Sequence, residues 1–212
     1  MLGARDYSGV LSVPRRPAVT EPSEELLAGC ARGDRRALEA VLRAQSPALE
    51  SLFMRLSGRR FEVEDLLQNT FIAAIRAFPK FRAEASVRSW LTRIAIAVFH
   101  DYLRQPDRRR RAQLVLVTDD LAALDPTQLD QQADARRGLA RLATHLEAIA
   151  PKKRIAFVLH VVEGYPLEEV ATLMSASRTA TKSRVFWARR ELLGRARRDP
   201  LLRDLLTQDM PS

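Results

Sequence analysis

The sequence has little with which to crosslink, chelate or cradle. Its one cysteine, Cys30, excludes an internal disulfide framework, and its place in an amphipathic stretch suits an inert buried thiol. The three histidines, His100, His145 and His160, stand far apart. Neither an H-E-x-x-H motif nor Cys/His ligand spacing occurs, and no glycine-rich phosphate loop is present, so no metal and no cofactor is expected. No run of about 18 apolar residues is found, nor an apolar leader segment after Met1, so the expectation is a cytoplasmic protein without membrane insertion. Dense carboxylate pairs are limited to Glu24-Glu25, Glu64-Asp65, Asp119-Asp120 and Glu168-Glu169. All but the third open expected helices, where the helix dipole alone accounts for them. Without convergent titratable groups, the expectation is a binding protein and not an enzyme.

What the chain has in quantity is helical periodicity and basic charge. With 212 residues, 46% hydrophobic and 29% charged, it is long enough for one large domain or two small ones and too apolar to be disordered. Ser23 before Glu24, Glu25 and Leu26 reads as a helix cap, and Asp34 as the cap of a second helix through Leu38, Val41 and Leu42. Pro47 fits the first turn of a third helix ending near Gly58. Residues 62–78 set Leu67, Phe71, Ala74, Ile75 and Phe78 on one face, and Pro79 stops that helix. Ser86 caps the next, whose apolar side runs through Val87, Trp90, Leu91, Ile94, Ala95, Val98 and Tyr102. From Gln105 the period is lost in Pro106, the basic run at 108–111 and scattered aspartates, with only a short helical or extended piece at 114–117. It returns at Leu139, Leu142, Leu146 and Ile149. Pro151 opens a further helix that Gly164 ends, and two more cover 166–174 and 177–193 about a tight turn at Ser175 and Ala176. No strand pattern of comparable strength competes.

The expected fold is therefore all-α, two small helical domains joined by a flexible linker, the C-terminal one containing a helix-turn-helix. The expected boundaries are a disordered segment at 1–22, a first domain at 23–105, a linker at 106–134, a second domain at 135–198 and a tail at 199–212. Residues 135–198 carry 14 Lys and Arg against 5 Glu, an excess as large as the net +9 of the whole chain. Such concentration favours a polyanionic partner, nucleic acid ahead of an anionic membrane.

The last of these helices has two faces. At about 100° per residue, Thr181, Val185, Ala188 and Leu192 form a stripe suited to a core. The opposite arc holds Thr179, Lys182, Ser183, Phe186, Trp187 and Arg190. Cationic heads, hydroxyls and flat aromatic surface suit phosphates, base edges and thymine methyls in a major groove. The same arc is also compatible with a solvated basic face whose aromatics cover a neighbouring helix.

Two further stretches decide between these. The run EDLLQNTFIAAIRAFPKFRAEASVRSWLTRIA at 64–95, continued by HDYLR at 100–104, resembles conserved region 2 of the extracytoplasmic-function (ECF) sigma factors of bacterial RNA polymerase. The run VVEGYPLEEVA at 161–171, with TKSR at 181–184 and ARREL at 188–192, resembles region 4 of the same family. Together they cover about residues 23–105 and 135–195, in the family's order. The resemblance implies that Glu64, Asp65, Leu66, Gln68, Asn69 and Ile72 form the surface that docks on the coiled coil of the core polymerase's largest subunit. It implies that Phe81, Arg82, Arg88 and Trp90 meet the unstacked −10 strand of promoter DNA, where rings stack on bases and cations follow phosphates. Phe81 and Trp90 are equally suited to the core. It implies that Arg178, Thr179, Lys182, Ser183, Arg184, Phe186, Trp187 and Arg190 meet the −35 duplex, and that an anti-sigma factor is a further partner. The competing reading is a stand-alone helix-turn-helix regulator, against which only the 64–95 run speaks. Ser175 stands where the family usually has glycine, so a left-handed residue there costs roughly 1 kcal/mol or another turn replaces it. Ala83 likewise replaces a frequent glycine, and Ile96-Ala97 a polar or basic pair.

Overall fold

The computed structural model describes residues 21–58, 60–105 and 129–203. These form α1 (Glu24–Ala31), α2 (Arg35–Ser57), α3 (Arg60–Ala77), a 3-10 turn at Phe78–Lys80, α4 (Val87–Arg104), α5 (Leu129–Glu147), α6 (Pro151–Phe157), a π-helical turn at Val158–Val162, α7 (Leu167–Leu173) and α8 (Arg178–Ala196). There is no strand among the described residues. The expected short piece at 114–117 lies outside them. Three caps are those the sequence announces: Ser23 accepts from the Leu26 N–H, Asp34 from Arg36 and Ala37, and Ser86 from Ser89; Ser177, read as the first helical residue, is a fourth and accepts from Ala180. Each satisfies an amide that the first helical turn would otherwise leave open.

In the N-terminal half, α1 to α4 enclose a core built on Cys30, Val41, Phe53, Leu56, Leu66, Phe78, Leu91 and Phe99. The Cys30 thiol is fully buried and its pKa is raised, by burial first and then by Asp34, as an inert core thiol requires. Pro47 starts no third helix. It sits inside α2, which continues to Ser57 because Leu38, Val41, Leu42, Gln45, Leu49, Leu52, Phe53 and Leu56 make one unbroken buried stripe. The inward face of α3 is also rotated from the expected one. Val63, Leu66, Thr70 and Ala74 are buried, whereas Ile75 is 45% exposed. Thr70 can sit in the core because its Oγ1 donates to the Leu66 carbonyl at 2.7 Å, a local bond that hydrophobic patterning does not register.

In the C-terminal half, α6 and α8 pack closely with α5 and α7 at their sides. α5 begins at Leu129, inside the stretch read as linker. The tail is anchored where it begins: the Asp199 carboxylate accepts from the Leu201 N–H, lies 2.9 Å from His145 Nε2 and ion-pairs with Arg141 of α5. Between α7 and α8, Ser175 adopts φ 47°, and the Ala176 N–H closes the turn on the Ala171 carbonyl at 2.9 Å. Of the two alternatives at this position, the chain takes the left-handed turn, held by a residue with a Cβ.

The two halves are in contact. Glu163 reaches from the end of the π-helical turn to Arg55 of α2 and Arg88 of α4, and the Tyr165 hydroxyl bonds Thr92 of α4 at 2.9 Å. The Arg154 guanidinium lies 5.6 Å from the centre of the Phe99 ring. The expectation of halves tied only by a linker is thus incomplete, because a polar seam joins them directly. Relief of the strain at Ser175 gives a test that leaves this seam alone: Ser175→Gly should raise stability by up to about 1 kcal/mol, or about 2–4 °C in melting temperature. A lower melting temperature in a thermal scan would contradict the strained turn.

Candidate nucleic-acid interface

α8 presents the two faces its sequence implies. Thr181, Ala188, Leu192 and Ala196 are buried, and the Thr181 hydroxyl is satisfied by the Ser177 carbonyl at 3.0 Å. Arg178, Thr179, Lys182, Ser183, Phe186, Trp187 and Arg190 are exposed, with Arg184 half-buried on the flank. Phe186 and Trp187, 57% and 44% exposed, meet edge to face at 5.4 Å, and Arg190 lies 5.4 Å from the Trp187 ring centre. A guanidinium over an indole fixes two side chains without neutralising the charge. Exposed aromatics are unfavourable in water, and here they share one arc with free hydroxyls and cations. The helix is braced from behind: Lys153 of α6 pairs with Glu191, and Arg178 pairs with Glu168 of α7 at 2.6 Å. A backbone N–H at the start of α7 and the Arg178 bond together hold the Glu168 carboxyl below the usual range.

A second surface lies where the 3-10 turn leads into α4. Phe78, Phe81 and Trp90 form a mutual aromatic cluster with centroids 4.9 to 5.5 Å apart. Phe78 is buried, while Phe81 and Trp90 are half-buried, so both are wall and surface at once. Ala83 carries the loop through φ 54°. Lys80, Arg82 and Arg93 are exposed around a groove of about 670 Å³ whose opposite wall is Glu169, Thr172 and Leu173. Arg88, expected on this surface, has only 11% of its side chain exposed and pairs with Glu163 at 3.5 Å. Ile96, noted as apolar where a polar residue is usual, is buried in the core.

The third surface is the outer face of α3. Glu64, Asp65, Gln68, Asn69 and Ile72 are exposed on successive turns, joined by Ile75 and Arg76. Leu66 is not part of it. At 1% exposure it points into the core, since it lies on the stripe with Val63, Thr70 and Ala74.

The chain has known relatives. Residues 41–110 match the family described as Sigma-70 region 2, and residues 139–192 match Sigma-70, region 4. The chain is 31% identical over 178 residues to the ECF RNA polymerase sigma factor SigE of Mycolicibacterium smegmatis, covering 81% of this chain and 68% of that one. It is 31% identical over 176 residues to SigC of Mycobacterium tuberculosis, covering 83% and 92%. The chain belongs to the ECF sigma factors of RNA polymerase. Its fold is similar to that of the sigma factor RpoE of Bartonella quintana, solved with the anti-sigma factor NepR, at a TM-score of 0.56 and 23% identity over 81% of this chain and 98% of that one.

What sequence reasoning missed in this sigma factor is the seam. Glu163, Tyr165, Arg55 and Thr92 belong to no pattern that announces a contact between halves more than 70 residues apart in sequence. The π-helical turn is the local cause. It widens the chain so that the Glu163 N–H returns to the Val158 carbonyl at 2.8 Å, and Gly164 then turns at φ 71° to deliver Tyr165.

Charge at the seam makes the closed arrangement sensitive to acid. His100 of α4 has its pKa lowered by burial first, then by Lys152 and Arg104, with Arg184 adding and Asp101 opposing. A lowered histidine pKa means that the folded protein takes up this proton later than the unfolded chain does. Its effect on stability is nil above the ordinary histidine range and becomes a loss as pH falls below about 6.5. Asp199, held low chiefly by its bond from His145, loses its contribution only further down, in the carboxylate range. Melting temperature should therefore fall in a first step below about pH 6.5, and His100→Asn should flatten that step. A variant with an unchanged profile would contradict this origin.

Proposed function

We propose that this sigma factor directs core RNA polymerase to promoters through the three surfaces described, adding no bond-breaking chemistry of its own. α3 docks on the polymerase through Glu64, Asp65, Gln68, Asn69 and Ile72. The loop at 79–86 and the start of α4 take the −10 strand, with Phe81 and Trp90 for a base and Arg82 and Arg88 for phosphates. α8 reads the −35 duplex with Lys182, Ser183, Phe186 and Trp187, while Arg178, Arg184 and Arg190 hold register on the backbone and Thr179 borders the reading arc. The observation that carries this reading is the exposed arc of α8, which sets two aromatics and a lysine over a buried Thr181, Ala188 and Leu192. Lone solvation does not call for that composition. The domains expected at 23–105 and 135–198 divide these tasks, the second extended at its start by α5 from Leu129 and at its end by the anchored Asp199. The protein works in the cytoplasm, where polymerase and promoter are, and no described helix is long and apolar enough to cross a membrane. By likeness to RpoE, solved with NepR, an anti-sigma factor is its antagonist. Run-off transcription with purified core polymerase is the direct test: promoter-dependent transcripts should appear only when this protein is added, and core that initiates no better with it would overturn the reading.

Two sets of variants divide the task further. Asp65→Ala or Gln68→Ala should weaken binding to core polymerase at least tenfold, about 1.4 kcal/mol, with melting temperature nearly unchanged because both side chains are exposed. Equal losses in both would make them structural.

On α8, Arg189 is half-buried beside the core stripe, where its long stem reaches a phosphate more readily than a base. Arg189→Ala should weaken all promoters alike and lower the salt slope by about 0.9. Lys182→Ala or Ser183→Ala should change which −35 sequences are preferred, by about 1–3 kcal/mol at the matching base. Selection from a promoter library checks both, and the reverse pattern would mean that α8 lies rotated in the groove.

A further inference from the structure

The face of α4 proposed to meet single-stranded DNA is occupied in this structure by carboxylates of the other half. Glu163, 8% exposed, pairs with Arg88 at 3.5 Å and with Arg55. Glu169, in the first turn of α7, accepts from the Ser89 hydroxyl one residue further along α4. Between Arg88 and the end of the same interface, Thr92 is bonded to the Tyr165 hydroxyl. A carboxylate offers a guanidinium the same pair of anionic oxygens that a phosphodiester offers. The groove beside Phe81 and Trp90 is likewise closed on its far side by Glu169, Thr172 and Leu173.

We propose that the C-terminal half is a built-in competitor for the −10 strand. Glu163 and Glu169 stand where backbone phosphates would, on Arg88 and Ser89, and the groove accepts single-stranded DNA only once they leave. This rests on the assignment of the loop and α4 to the −10 strand. The contact is built to be reversible. Its centre is polar, and Gln45 Nε2, buried beside Arg88, Thr92, Glu163 and Tyr165, has no hydrogen-bond partner among the described residues. Opening therefore returns to water a buried donor that closure left unpaired.

The test uses the full chain and a fluorescent, mixed-sequence single strand of about 12 nucleotides, followed by anisotropy. Glu163→Gln should bind it about tenfold more tightly than the unmodified chain, as the competent population rises. Tyr165→Phe, which changes no charge and removes the hydroxyl bonded to Thr92, should move affinity the same way by about threefold. Glu50→Gln, an exposed carboxylate elsewhere on α2, measures the general effect of removing a negative charge. If Glu163→Gln gains no more than Glu50→Gln and Tyr165→Phe gains nothing, the competition does not exist. Adding Arg82→Ala to Glu163→Gln should remove the gain. A gain that survives it would place the strand outside the groove and overturn the −10 assignment, and with it this proposal, though the halves would still be shown to open.

Discussion

The closed form of this protein depends on one carboxylate. Glu163 is drawn out of water between Arg55 and Arg88, from two helices of the other half, beside the buried Leu49, Leu52 and Leu91. Taking the carboxylate and the Arg88 guanidinium from water is costly, with Arg55 still 43% exposed, and the attraction between them returns that cost only when the geometry is kept. Such a pairing contributes little net stability but discriminates sharply between the docked geometry and any other. An apolar seam of the same size would hold the halves together more permanently.

Permanent closure is incompatible with the task. The two promoter elements lie about 25 base pairs apart, roughly 85 Å along a duplex at 3.4 Å per pair. A compact chain of this length has a radius of gyration of about 17 Å, so a closed molecule cannot engage both elements at once. The polar contacts of the seam and the Gln45 Nε2 left without a partner among the described residues are features that make separation cheap. The exposed faces of α8 and α3, proposed to read DNA and to dock on the polymerase, need no such change, since both already point outward.

Much of this was legible in the sequence, because caps and helical stripes are local. Ser23, Asp34 and Ser86 are bonded as caps, and the buried and exposed arcs of α8 follow directly from its spacing. Errors arose where a polar residue was satisfied within its own helix, as Thr70 is, since that rotated the apparent core face of α3 and left Leu66 on the wrong side. Pro47 misled for a related reason: continuous burial on both sides of it outweighed the lost amide. The seam could not be read at all. It depends on a π-helical turn and on side chains brought together from distant segments, and neither leaves a periodic trace. Arg88 was found as a candidate DNA contact from the family resemblance, but its present partner Glu163 was not.

Separation of the halves can be measured directly. Fluorophores at Glu50→Cys and Arg195→Cys would report the distance between them, with Cys30 too deeply buried to compete for label. The free protein should show one narrow, short-distance population. Bound to core polymerase on a promoter that it transcribes, the same pair should separate by tens of Å, as the roughly 85 Å between elements requires. An unchanged short distance in the transcribing complex, or a broad and extended distribution in the free chain, would contradict a closed form that must open.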